Sequence, residues 1–145
     1  MMTQDRDQLR RYYLNCWEKL QAGETLNGLE QQVAEVISEH PEYHAQLRSG
    51  EQALAREYRA EDGEANPFLH MSLHLGLREQ IVTDRPAGIR SLYQQLIGRF
   101  GVHEAEHQMM QCLTESLWLA QQQQAAPDEV AYLECLRGLV GEASG

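Results

Sequence analysis

The six histidines of this chain fall into three pairs, His40/His44, His70/His74 and His103/His107, each four residues apart. Random placement of six histidines in 145 residues gives roughly 0.2 such pairs, and four residues is the interval that stacks two side chains on one face of an α-helix. An HxxxH pair on a helix offers two imidazoles about one turn apart, which is how a helix gives two ligands to one metal ion. Two such pairs on neighbouring helices complete four ligands, and the candidate set is His70, His74, His103 and His107. Imidazole nitrogen suits zinc, iron, nickel or copper, and without a cysteine pair nearby zinc or iron leads. With three ligands and one open position, a bound water is activated toward a pKa near 7 and serves as nucleophile, with Glu106 as its base, giving a hydrolase-like or redox site. A closed four-ligand site is structural instead.

Helical phase, at about 100° per residue, places these groups. His74, Leu73, Leu77 and Ile81 lie within about 60° of His70, an apolar face, whereas Glu79 is nearly opposite and is not expected as a ligand. His107, Glu106, Met110, Thr114 and Leu117 cluster with His103, while Glu104, Gln108, Gln111 and Glu115 take the outer face. Both pairs are therefore expected to point inward. Glu104-x-x-His107 resembles the Glu-x-x-His element of di-iron bundles, but the phase selects Glu106 as the inner carboxylate. The pair His40/His44 is weaker because Pro41 interrupts the helical spacing. His40 is expected to cap the helix that Pro41 begins, with His44 on a solvated face, although one of them can still reach inward.

A metal-free reading competes. Each buried polar group without a partner costs about 1–3 kcal/mol, so four isolated imidazoles would consume much of a domain's roughly 5–15 kcal/mol. Partners other than metal are carboxylates such as Glu106, water, or one another. On that reading the chain is an acidic helical protein-interaction module. Because histidine titrates near neutrality, a pH-responsive helical switch is a third possibility.

The elements that must position these groups read as helices throughout, since apolar residues recur at three- and four-residue spacing with no run of alternation. Leu9, Tyr12, Tyr13, Cys16, Trp17 and Leu20 stripe a first helix ending near Gly23. Leu29, Val33, Val36, Ile37 and His40 stripe a second, which Pro41 ends, and a short third runs from Pro41 through His44 and Leu47 to Ser49-Gly50. Residues 59–65 read as a loop. Asn66-Pro67 opens a helix to about Val82 whose apolar residues point in every direction, as in a helix covered on all sides. Another begins at Asp84 or Arg85 before Pro86, is striped by Ile89, Leu92, Tyr93, Leu96, Ile97 and Phe100, and closes at Gly101. A long helix from about Val102 to Gln121 and a last one after Pro127-Asp128-Glu129 complete an all-α fold. The expectation is a single compact helical bundle of six or seven helices spanning residues 1–145.

Composition agrees with a globular domain: 42% of residues are hydrophobic and 23% charged. Twelve Lys and Arg against 22 Asp and Glu leave a net charge of −10, which opposes nucleic acid and anionic membrane and leaves a small molecule or another protein as partner. The first residues carry charges of both signs and no apolar run follows, so no signal peptide is expected. The longest greasy uncharged stretch, Asn66 to Leu77, falls short of the roughly 20 residues of a membrane span. Cys16, Cys112 and Cys135 are odd in number and in no CxxC arrangement, which predicts reduced thiols, no disulfide framework and a packing role for Cys112. A cytoplasmic protein is the default.

The segments His40-Pro-Glu-Tyr-His44, Asn66-Pro-Phe-Leu-His-Met-Ser-Leu-His74 with Arg78-Glu-Gln80, Asp84-Arg-Pro-Ala-Gly-Ile89 and His103-Glu-Ala-Glu-His107 with Met110 and Leu117-Trp118 resemble the small bacterial domain-of-unknown-function family numbered eighteen forty-one. The resemblance runs from Asp5 to about Leu136, and Asn-Pro-Phe-Leu-His is its specific element. It implies a cytoplasmic bacterial protein and carries no activity, so every role assigned above rests on spacing and phase.

Overall fold

Helix α1, Met2–Ala22, turns Tyr13, Leu14, Cys16 and Trp17 inward at the three- and four-residue interval that a helical stripe requires. These coordinates are a computed structural model, and they describe residues 2–55 and 66–141. Among the described residues there are eight α-helices and no strand, so the all-α expectation holds. No helix is long and apolar enough to cross a membrane. The chain divides into two compact units, Met1–Leu75 and Gly76–Gly145, with the boundary inside one helix.

In the first unit α1 is followed by α2, Gly28–Ser38, a 3₁₀ turn at Pro41–Tyr43, α3, His44–Arg48, α4, Glu51–Ala55, and the first turns of α5, Pro67–Thr83. Asn27 and Glu30 form a capping box: Asn27 Oδ1 accepts from the Glu30 N–H at 2.8 Å and Glu30 Oε1 from the Asn27 N–H at 2.9 Å. Val33, Val36 and Ile37 then face Tyr13, Trp17, Leu47, Leu54, Phe68 and Met71 in one apolar core. Leu9 and Leu29, expected in their stripes, are exposed. The α1 stripe is rotated toward Arg10, which is 2% exposed and donates through Nη1 to the carbonyls of Ala53 and Leu54 while lying 5.0 Å from the Phe68 ring centroid. Short α4, which the spacing did not indicate, is thus closed by an arginine from α1. The loop expected at 59–65 lies outside the described residues.

Helix α5 begins as expected, with Asn66 Oδ1 accepting from the Phe68 and Leu69 N–H groups. It is not covered on all sides: Phe68, Met71, His74 and Leu77 are buried, but Leu69 is 56% exposed.

The second unit contains the remainder of α5 with α6, Ile89–Phe100, α7, Val102–Gln123, and α8, Glu129–Val140. Helices α6, α7 and α8 pack pairwise around Ile89, Leu92, Leu96, Met109, Leu113 and Leu136. Helix α6 starts three residues after Pro86 rather than before it. The Arg85–Pro86 peptide is cis, Gly88 precedes the helix at φ +99°, and Asp84 Oδ1 receives the Gly88 and Arg90 N–H groups. A left-handed residue cannot continue a helix, which is why the start is displaced. Arg90 in turn donates to the Ile81 and Val82 carbonyls at the end of α5.

Two further expectations are corrected here. The buried residues of α7 are Ala105, Glu106, Met109, Met110, Cys112, Leu113 and Ala120, so of the face expected inward Glu106 and Met110 are buried while His103, Thr114 and Leu117 are exposed. The helix offers two candidate apolar faces, and the one centred near Met109 and Leu113, about 100° from His103, is the one that packs. Cys112 and Cys135 are joined in a disulfide, Sγ to Sγ 2.11 Å with Cα atoms 5.9 Å apart, while Cys16 stays free and buried. Sequence spacing does not reveal the pairing, because it depends on α8 folding back beside α7 across 23 residues.

Candidate metal centre

His40, His70 and His74 each present a ring nitrogen to a common point in the first unit, and these atoms all lie within 4.8 Å of one another. The rings crowd without stacking: centroids are 5.1 Å apart for His40 and His70, 4.7 Å for His40 and His74 and 4.8 Å for His70 and His74, at interplanar angles of 75°, 58° and 71°. The His40–His70 and His70–His74 rings meet edge to face, and the His40–His74 pair is tilted.

His70 and His74 come together because α5 stacks residues four apart. Their Nε2 atoms are 3.1 Å apart. Two imidazole nitrogens at about 2.0–2.1 Å from one tetrahedral ion sit roughly 3.3 Å apart, so the pair already spans one edge of a coordination polyhedron. His74 is 2% exposed and His70 half-buried.

His40 arrives from a different element. It ends the apolar stripe Val33, Val36, Ile37 of α2 and occupies the residue before Pro41 at φ −125°, ψ 65°, an extended turn that swings the ring inward. It makes no side-chain cap, contrary to the expected capping role, and is 4% exposed. Its Nδ1 lies 2.8 Å from the Val36 carbonyl oxygen. A carbonyl only accepts, so Nδ1 carries a proton, and in the neutral ring the lone pair is then on Nε2, the tautomer a metal requires. The signal for His40 was its place on the α2 stripe, which outweighs the interruption by Pro41.

Around this group, Tyr43 stacks on His40 at 5.6 Å and 7° and meets His70 edge-on at 5.9 Å. Burial, followed by the neighbouring Glu42 carboxylate, pushes the Tyr43 hydroxyl above its usual pKa, so it stays protonated at neutral pH. His44 is not on a solvated face: it is half-buried, packs 4.6 Å from Trp17 and donates through Nε2 to the Ile37 carbonyl at 2.9 Å.

The second expected pair belongs to the second unit. His103 and His107 rings are 4.5 Å apart, and His107 Nδ1 donates to the His103 carbonyl at 2.9 Å. His107 is half-buried, but His103 is exposed, so the inward orientation expected of both fails for His103. Glu106 is buried as the phase indicated, and its Oε1 accepts from Arg78 Nε at 2.9 Å. Glu104 and Glu79 are exposed, as expected of outer-face residues.

No curated protein matches this chain. No solved structure matches it either. A family model described as Domain of unknown function (DUF1841) matches residues 5–138, which takes in every histidine described above. That match covers nearly the whole chain, and the protein belongs to the DUF1841 family.

Proposed function

We propose that this protein binds one transition metal ion, zinc or iron, through His40, His70 and His74. The observation that carries this reading is the convergence of three ring nitrogens within 4.8 Å, two of them on one helix and the third fixed in its metal-binding tautomer by Val36. Three imidazoles suit these ions and leave a coordination position for water or a substrate, which favours a hydrolase-like or redox site over a purely structural one. The half-buried His70 and Tyr43 give the group a solvent-facing side.

Elemental analysis of protein purified without a histidine tag tests the reading. About one zinc or iron per chain is expected, lost in His40→Ala and His74→Ala. Added metal should stabilise the wild type, by about 2.7 kcal/mol at a hundredfold excess over Kd, and a chelator should reverse it. Absence of stoichiometric metal, together with melting that ignores both metal and chelator, would overturn the proposal.

One observation favours a second reading. At 3.1 Å, His70 and His74 can share a proton in a direct Nε2 hydrogen bond, which satisfies both rings without metal and suits an acidic interaction module. That reading predicts melting unchanged by chelator.

A further inference from the structure

We infer that Cys112 and Cys135 form a reversible dithiol–disulfide couple, reduced through a cleft between α7 and α8 by a dithiol reductant. The two cysteines stand on facing helices and border a cleft of about 130 Å³ that is also lined by Ser116, Leu119 and Tyr132. A disulfide sealed in a core is shielded from thiolate attack, whereas one that borders solvent is open to it. Exposure also sets the direction of attack. Cys112 is 3% exposed and Cys135 half-buried, so Cys135 is the residue nearer solvent and its Sγ is assigned as the first point of attack.

The chemistry balances with a dithiol as the named co-reactant. A thiolate of the reductant attacks Cys135 Sγ, forming a mixed disulfide as the Cys112–Cys135 bond breaks. Cys112 leaves as a thiolate and takes up a proton. The second thiol of the reductant then attacks its own mixed sulfur, releasing Cys135, which is protonated in turn. Two electrons and two protons have moved: the reductant becomes a disulfide and the protein holds two thiols. An oxidised dithiol of the same class runs the sequence backward.

Reduction has a structural consequence that stops short of unfolding. Helix α8 keeps its buried Leu136, its Asp128 cap and the 2.7 Å hydrogen bond from the Tyr132 hydroxyl to Gln80. The disulfide is the covalent bolt between α8 and α7, so its loss frees the α7–α8 seam while these contacts hold α8 nearby. Glu115 and Asp128 also line the cleft. Their carboxylates repel an anionic monothiol such as glutathione and admit a neutral dithiol such as dithiothreitol.

Mass-tag alkylation of the folded full chain, quenched at intervals after adding dithiothreitol or glutathione, tests the inference. The expected result is no tag on Cys112 or Cys135 before reduction, two tags appearing together under native conditions, faster reaction with dithiothreitol, and a fall in Tm on the order of 10 °C that reoxidation reverses. Cys135→Ser should melt with the reduced wild type and ignore the reductant. The inference is overturned if the pair resists millimolar dithiothreitol until the protein unfolds. It also fails if both thiols label in the air-oxidised protein, or if reduction leaves Tm unchanged. Because the wild-type measurements stand without the variant, poor folding of Cys135→Ser would not shelter the claim.

Discussion

His40 Nδ1 donates to the Val36 carbonyl one helical turn behind it, at 2.8 Å, and by doing so decides which nitrogen of the ring faces His70 and His74. An imidazole oriented in this way has lost its ring-flip freedom before any ion arrives, so binding it costs less. Removing an orienting partner of a metal-bound histidine typically costs 10–100-fold in affinity, and removing the histidine itself should cost at least that. His40→Ala is expected to weaken zinc binding by about 100-fold or more. Competition against a chromophoric chelator measures it, and an unchanged affinity would remove His40 from the ligand set.

The two histidines of α7 should differ from each other. His107 is half-buried with Nδ1 donating to the His103 carbonyl, whereas the His103 side chain is exposed. His107→Ala is therefore expected to destabilise the second unit, while His103→Ala should change stability by less than about 0.5 kcal/mol, as for most surface substitutions. Urea unfolding of both variants beside the wild type checks this. Equal effects of the two would show that the partial burial of His107 and its hydrogen bond contribute nothing to the fold.

Much of the architecture could be read in the sequence because helices of ten residues or more declare themselves by period, and Gly23, Asn66 and Gly101 mark ends that the structure keeps. Where two faces compete, the reading fails. In α7 the histidine-bearing face and the Met109/Leu113 face are both partly apolar, and only packing selects the second. His40 is hidden for the opposite reason: Pro41 does break the helix, yet the break is what turns the ring inward. The Cys112–Cys135 pairing is a tertiary fact with no local signature.

The start of α2 gives a prediction about acid. Glu30 accepts the Asn27 N–H and the Lys19 ammonium, the latter at 2.7 Å, and these hold its carboxyl below the ordinary value of 4.5. A carboxyl lowered on folding stabilises the protein above its unfolded pKa, and that contribution fades as pH falls through the folded value. Urea unfolding of Glu30→Gln should therefore show less stability than wild type at pH 6–8, the gap narrowing below about pH 4.5. Asn27→Ala, which removes the other half of the box, should cost about 1 kcal/mol. A gap for Glu30→Gln that persists undiminished into strong acid would mean the carboxylate is not the group responsible.

Arg78 and Glu106 tie α5 to α7 within the second unit. Glu106 has only 8% of its side chain exposed, against 30% for Arg78, so the two residues do not bear the bond equally. Removing the guanidinium takes the ion-pair partner at Oε1 from a buried carboxylate, and breaking a buried pair from one side costs more than replacing both members. Arg78 reaches solvent, which screens the loss, so Arg78→Ala is expected to destabilise by about 2 kcal/mol, below the 3–5 kcal/mol of a fully buried pair. Glu106→Gln keeps an acceptor for Arg78 and should cost less, about 1 kcal/mol. In the double variant Arg78→Ala/Glu106→Gln the buried charge is removed together with its ion-pair partner, so the loss should be smaller than the sum of the two singles. Chemical denaturation of all four proteins closes the cycle, and strict additivity would show that the 2.9 Å contact contributes nothing to the fold.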